Sequence, residues 1–284
     1  MTKENSEDMS FLEHLEELRW HLIRSMIAII VFAVLAFLFH NFIFDSIIIA
    51  PKSPDFFTNR MLCALGKIVH VDALCINSHP FQLININMSG QFTTHIMVSI
   101  FAGFIIAFPY IFYEFWRFLA PALYSNERKY TSGAVFFSSL LFLLGVVFGY
   151  FIITPLSVHF LGSYTVSEQV TNQINLTSYI STVASVVLAS GIIFELPMLV
   201  LFLSKIGLIT PAFLKKYRRH AFIVILVVSA VITPPDIFSQ ILVTLPLVGL
   251  YEVSIGISAR IVRKQKLKDE QEEEETDDVD KFGI

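Results

Sequence analysis

The chain is short of charge. Asp, Glu, Lys and Arg make up 15% of its 284 residues, where soluble domains carry about 25%. That shortage excludes an ordinary soluble domain. Cysteine is scarcer, with Cys63 and Cys75 alone, and they form no CxxC pair. The eight histidines are scattered without metal-ligand spacing. There is no HExxH helix, no glycine-rich phosphate loop and no Ser/Lys or paired-Asp membrane-protease pattern, so the sequence calls for no metal, nucleotide or other cofactor and no enzyme. What fills the chain is oil. Hydrophobic residues reach 55%, Phe alone occurs 28 times, and mean hydropathy is +0.66. This is the balance of an integral membrane protein.

A bilayer core of about 30 Å takes about 20 apolar residues in helix. Residues 23–44, 92–115, 133–154 and 179–203 meet that length. Two further runs, 220–233 and 237–257, are separated only by Pro234-Pro235-Asp236, a tight turn. Six spans place both termini on one side. Seventeen of the twenty Lys and Arg residues fall in the two terminal segments and the 116–132 and 204–220 loops. That bias marks these segments as cytoplasmic. The fifth span, at 14 residues, reaches about 21 Å, so a short hairpin should thin the bilayer or pack on a partner. Pro246 should kink or loosen the sixth.

The polar N-terminus shows no cleavage site after its first apolar run, so the first span is expected to remain as an anchor. Ser10-Phe11-Leu12-Glu13 is a capping box that starts a helix. Its stripe of Phe11, Leu15, Leu18 and Leu22 suits the membrane surface before the chain turns into span one. The first outer loop, residues 45–91, carries Cys63 and Cys75, either disulfide-bonded or as free thiols. The second, residues 155–178, is rich in Ser, Thr, Asn and Gln. Asn87-Met88-Ser89 and Asn175-Leu176-Thr177 match glycosylation triplets, a weak signal. Gly145 and Gly149 read as helix packing within one molecule. Nine of the 24 acidic residues lie in the last sixteen positions. Without that tail, nineteen basic face fifteen acidic residues, a net +4. Residues 260–284 therefore read as a basic then acidic tail, disordered by self-repulsion.

A few charges ask for a reason. Glu17, opposite the apolar stripe, lies beyond the first turn, where the helix dipole would favour it. Glu195 sits inside span four, about 12 Å from its end. A carboxylate there is protonated, paired or facing a wet cavity, and Pro197 frees a backbone carbonyl nearby. Glu252 lies at a boundary and suits an interfacial role. Residues 115–128, FWRFLAPALYSNER, are a polar island between two spans.

In Phe11-Leu12-Glu13-His14-Leu15-Glu16-Glu17-Leu18-Arg19, the 115–128 loop, Phe194-Glu195-Leu196-Pro197, Thr233-Pro234-Pro235-Asp236 and Ser239-Gln240, the chain resembles the TatC family, the multispan core of the twin-arginine (Sec-independent) protein translocase. The likeness runs from about Ser10 to Ala259. It implies a six-helix, glove-like concave bundle with short fifth and sixth helices and cytoplasmic termini, in a bacterial inner membrane. It implies a receptor for twin-arginine signal peptides that exports folded proteins on the proton-motive force. The matching residues are Glu17 and Glu127, surrounded by Arg19, Phe118, Pro121, Leu123, Tyr124 and Arg128. Carboxylates suit guanidinium pairs through bidentate, charge-assisted bonds. Glu195 matches an intramembrane polar site facing partner helices. Thr233, Asp236, Ser239 and Gln240 match a docking site for small single-span TatA/TatB-type subunits. The other implied partners are further TatC copies and the lipid bilayer, with no nucleic acid. His21 stands where the family usually has a permanent base, and Ala122 where it usually has Gly. The competing reading is a proton- or ion-coupled secondary transporter using Glu195. That would call for paired broken helices in two related halves, and the sequence shows no such repeat.

Overall fold

The computed structural model describes residues 11–71, 74–77, 81–119, 131–167, 169–170, 172–233 and 237–282. For residues 11–14, 131–132, 237–239, 265, 268–269 and 271–282 it describes the backbone alone. Among the described residues, five helices are long and apolar enough to cross a membrane: Leu15–Leu38, Gly90–Leu119, Gly133–Ser163, Leu176–Lys205 and Gln240–Lys264. The remaining expected span is the 15-residue helix α9, Arg218–Ile232. At about 22 Å it is as short as its sequence suggested. The architecture is that of an all-α multi-pass membrane protein.

The chain divides into two compact units. The first comprises residues 1–48 and 85–140, the second residues 49–84 and 141–284. In the first unit, α1 (Phe11–Leu38) packs along α3 (Gly90–Leu119). His21 meets Glu114 near one end, Gly103 meets Ala33 in the middle, and His95 stacks on Phe37 near the other. Rising numbers pair with falling ones, so the helices are antiparallel. The expected turn between surface helix and span one is absent. No proline or glycine lies between Phe11 and Ala50, so nothing stops α1 from running straight on.

In the second unit, α4 (Thr131–Phe148) enters from the first and continues through a π-helical turn, Gly149–Ile153, into α5, Thr154–Ser163. The expected loop at Pro155 is therefore helix. Proline inside a helix removes one backbone donor, but the π turn precedes Pro155 and the Phe151 carbonyl accepts from the Thr58 hydroxyl instead, so the run does not end there. Next comes α6, Leu176–Phe194. A Cβ on Gly145 would lie 2.6 Å from the Ser190 carbonyl oxygen, and one on Gly149 would lie 2.8 Å from Ser190 Cβ. The two glycines thus seat α4 and its π turn against α6 within the molecule, as the sequence suggested. Ile153, Val186, Ile225, Val243 and Leu247 form the core beside them.

Glu195 breaks span four into α6 and α7 (Leu196–Lys205). Then follow α8 (Pro211–Lys216), α9 and α10 (Ile237–Phe282). Helix α10 holds 46 residues, where a short sixth helix and an unstructured tail were expected. From residue 257 to 282 there is no proline or glycine, and Lys, Arg, Glu and Gln dominate. These are strong helix formers, and here propensity outweighs like-charge repulsion. Helices α7, α8 and α10 are tied by Ser204 Oγ–H to Ser258 Oγ at 2.8 Å and Tyr251 O–H to the Leu214 carbonyl at 2.9 Å.

The segment between the first two spans, residues 49–84, is structured in the second unit. It contains α2, Phe57–Val69, and a Cys63–Cys75 disulfide. Strand β1, Leu83–Ile84, pairs in parallel with β2, Ile174–Asn175. Asn77 Nδ2 donates to the Pro51 and Pro155 carbonyls. These ties join the 49–84 segment to the chain around residues 155–175.

Candidate functional site

The first unit builds its charged site where α1 and α3 meet. Glu17 and His21 lie one turn apart on α1, with Glu17 Oε1 3.9 Å from His21 Nε2. His21 is buried, and its Nδ1 lies 2.5 Å from Glu114 Oε2 on α3. Arg24 Nη1, one turn further along α1, lies 3.7 Å from the same oxygen. Glu114 is 3% exposed. A carboxylate this deep persists only when paired, and His21 and Arg24 of α1 pair it here.

This arrangement leaves Glu17 lightly engaged. His21 holds Glu114 much more closely than it holds Glu17. Glu17 Oε2 is shielded and accepts no hydrogen bond among the described residues. The Phe118 ring meets the His21 ring edge-on, centroids 6.1 Å apart. Thus Glu17 and Phe118, two of the sequence-selected residues, are joined through His21. Arg19 turns elsewhere. It pairs with Glu16 at 3.7 Å, both exposed, and lies over Trp20. Pro121, Leu123, Tyr124, Glu127 and Arg128 fall outside the described residues.

Glu114 was missed in the sequence. Its signal was there, a single carboxylate in the last turns of an apolar, aromatic span. The pairing was not visible, because His21 lies 93 residues away.

In the second unit, Glu195 is half-buried at the break between α6 and α7. Its backbone N–H donates to the Ile192 carbonyl at 3.1 Å, and its own carbonyl accepts from Met198 and Leu199. Pro197 begins α7, so the proline and the glutamate together mark the interruption. Thr233 is buried at the end of α9, its hydroxyl donating to the Ser229 carbonyl at 2.8 Å. Gln240 Nε2 donates to the Leu226 carbonyl at 3.4 Å. Both are thus brought onto the α9 backbone. Asp236 and the Ser239 side chain lie outside the described residues. Glu252, read as interfacial, pairs with Arg218 at 2.7 Å.

A family profile described as Sec-independent protein translocase protein (TatC) matches residues 13–246. The chain belongs to the TatC family. A Sec-independent protein translocase protein TatC of Blattabacterium sp. subsp. Periplaneta americana is 43% identical over 265 residues, covering 93% of this chain and 100% of that relative. One of Desulforapulum autotrophicum is 36% identical over 273 residues, covering 96% and 92%. A solved structure described as the crystal structure of twin arginine translocase receptor TatC in DDM is 35% identical. It superposes with a TM-score of 0.67 over 87% of this chain and 99% of that one. TatC membership makes the chain a component of a protein-translocation system, a transport family rather than a catalytic one.

Proposed function

We propose that this TatC-family chain is the twin-arginine signal-peptide receptor and core subunit of a translocase that exports folded proteins on the proton-motive force. Glu17 and Glu127 clamp the paired guanidiniums, and Phe118 covers the apolar signal residue beside them. Pro121, Leu123, Tyr124, Arg128 and Arg19 complete the surroundings. Glu195 serves as an intramembrane polar site. Thr233, Asp236, Ser239 and Gln240 dock small single-span TatA/TatB-type subunits, and further copies of the chain complete the assembly. Both termini lie in the cytoplasm of a bacterial inner membrane, a reading supported by the Lys and Arg distribution.

The observation that carries this reading is the state of Glu17. One of its oxygens has no hydrogen bond among the described residues, and its neighbour His21 lies nearer to Glu114. A charge-assisted bond from an incoming guanidinium would satisfy it. The test is site-specific crosslinking of a twin-arginine precursor to Glu17→Ala and Glu127→Ala proteins, beside its Lys-Lys variant. Each substitution should lower crosslinking about tenfold or more, since a hydrogen bond to a charged group contributes about 1.5–3 kcal/mol. The Lys-Lys precursor should crosslink poorly to the native protein. Unchanged crosslinking, or no preference for Arg-Arg, rejects the receptor reading.

A further inference from the structure

Helix α2 is built inside out for a helix in water. Its uncharged polar residues face the protein. Thr58 is 5% exposed and Asn59 is 1% exposed. Its apolar residues face away, with Phe57 66%, Met61 47%, Leu65 46% and Ile68 74% exposed. At 100° per residue these four fall within one narrow stripe, roughly opposite Asn59 and Gly66. A stripe of four large exposed apolar side chains on a short helix is costly in water.

The inner face is pinned. Asn59 Nδ2 donates to the Pro51 and Ser53 carbonyls at 3.1 and 2.7 Å. The Thr58 hydroxyl donates to the Phe151 carbonyl. The disulfide holds Cys63 to Cys75. The stripe is therefore presented outward by a fixed scaffold rather than left exposed by a loose one.

Depth follows from what α2 rests on. Phe56, its N-cap, packs edge-on against Tyr150 and face-on against Phe151, both with centroids 5.5 Å apart. Phe57 packs edge-on against Phe151. Tyr150 and Phe151 lie in the π turn of span three. Counting about 20 residues from Gly133 brings the hydrocarbon crossing to its end at that turn. Helix α2 therefore sits at a membrane–water boundary, where aromatic residues and amphipathic helices concentrate. Its sequence contains no carboxylate. Its two bases, Arg60 and Lys67, lie exposed and adjacent on one flank of the stripe, placed for lipid phosphates.

We propose that α2 is an interfacial lipid-binding helix. Phe57, Met61, Leu65 and Ile68 enter the acyl–headgroup boundary, and Arg60 and Lys67 meet anionic headgroups. The disulfide-closed loop would then grip the bilayer beside span three.

The test uses the full chain in phosphatidylethanolamine–phosphatidylglycerol vesicles. Phe57→benzoylphenylalanine and Ile68→benzoylphenylalanine are irradiated separately, and phospholipid adducts are measured by mass spectrometry. Val166, 87% exposed in the second outer loop, takes the same probe as the water-facing control. Retention of the Cys63–Cys75 bond on a non-reducing gel reports that the loop is folded, and either probe position suffices. Phospholipid adducts at 57 or 68 about tenfold above those at 166 are expected for a side chain inserted in the interface. A yield equal to the Val166 control, or adducts formed chiefly with a second copy of the chain, overturns the proposal.

Discussion

His21 Nδ1 and Glu114 Oε2 lie 2.5 Å apart between two membrane-crossing helices, both residues buried. Removing one partner of such a pair leaves an uncompensated polar group and costs about 3–5 kcal/mol. Replacing both with apolar groups of similar volume is often close to neutral. Glu114→Ala should therefore lower the unfolding temperature of the detergent-solubilised protein sharply. The double variant His21→Leu/Glu114→Leu should recover most of the loss. Additive losses in the double variant would mean that the two side chains are not a unit.

The exposed pair Arg218–Glu252 gives the contrast. It too is short, at 2.7 Å, but its side chains are 55% and 44% exposed. Solvent screens such pairs, and they contribute about 0–1 kcal/mol. Glu252→Gln should shift the unfolding midpoint far less than Glu114→Ala in the same assay. A comparable shift would show that Glu252 does more than pair with Arg218.

Close approach of α1 and α3 rests on Gly103. A Cβ there would lie 2.6 Å from the Ala33 backbone nitrogen, which has no freedom to move aside. Small residues at such crossings let membrane helices pack without a hydrophobic driving force. Gly103→Ala should destabilise by about 1–3 kcal/mol, the usual cost of overpacking. Gly256→Ala, where an added Cβ meets nothing within 4 Å, should be close to neutral. Equal behaviour of the two variants in thermal unfolding would contradict this packing.

Much of this was legible in the sequence, because lipid imposes simple rules. Twenty apolar residues make a span, and the short run before Pro234 makes a short helix. The capping box at Ser10 marked a helix that does begin at Phe11. What escaped reading has identifiable causes. The Glu114–His21 pairing is non-local, and a lone glutamate in an aromatic run carries no periodic signal. Pro155 looked like a terminator but follows a π turn, and the helix runs on through it. In the tail, repulsion among carboxylates was weighed above helix propensity. Of the proposed signal-reading residues, the structure brings together Glu17 and Phe118. It describes neither Glu127 nor its neighbours.

The Cys63–Cys75 bond closes a sequence separation of 12 residues and holds α2 to the chain that follows it. In the chain-entropy account, a loop of about this size contributes about 3 kcal/mol. Thiol labelling of the denatured protein should therefore appear only after reduction. Cys75→Ser should make the 49–84 segment more sensitive to protease, leaving the spans protected. Full labelling without reductant would remove the bond.

The continuity of α10 makes a claim about residues 265–282. If propensity holds them helical, a proline should break them. Glu273→Pro removes one backbone donor and clashes with the preceding turn, a cost of about 3 kcal/mol or more. So polar a sequence offers little apolar surface to offset that cost. Far-UV circular dichroism of the variant should lose the signal of roughly ten helical residues. A chain cut after Lys264 should lose more, and its thermal midpoint should stay unchanged, because the Ser204–Ser258 and Tyr251–Leu214 ties lie before the cut. An unchanged spectrum in both variants would show that the tail contributes no helix in solution, and that self-repulsion wins there after all.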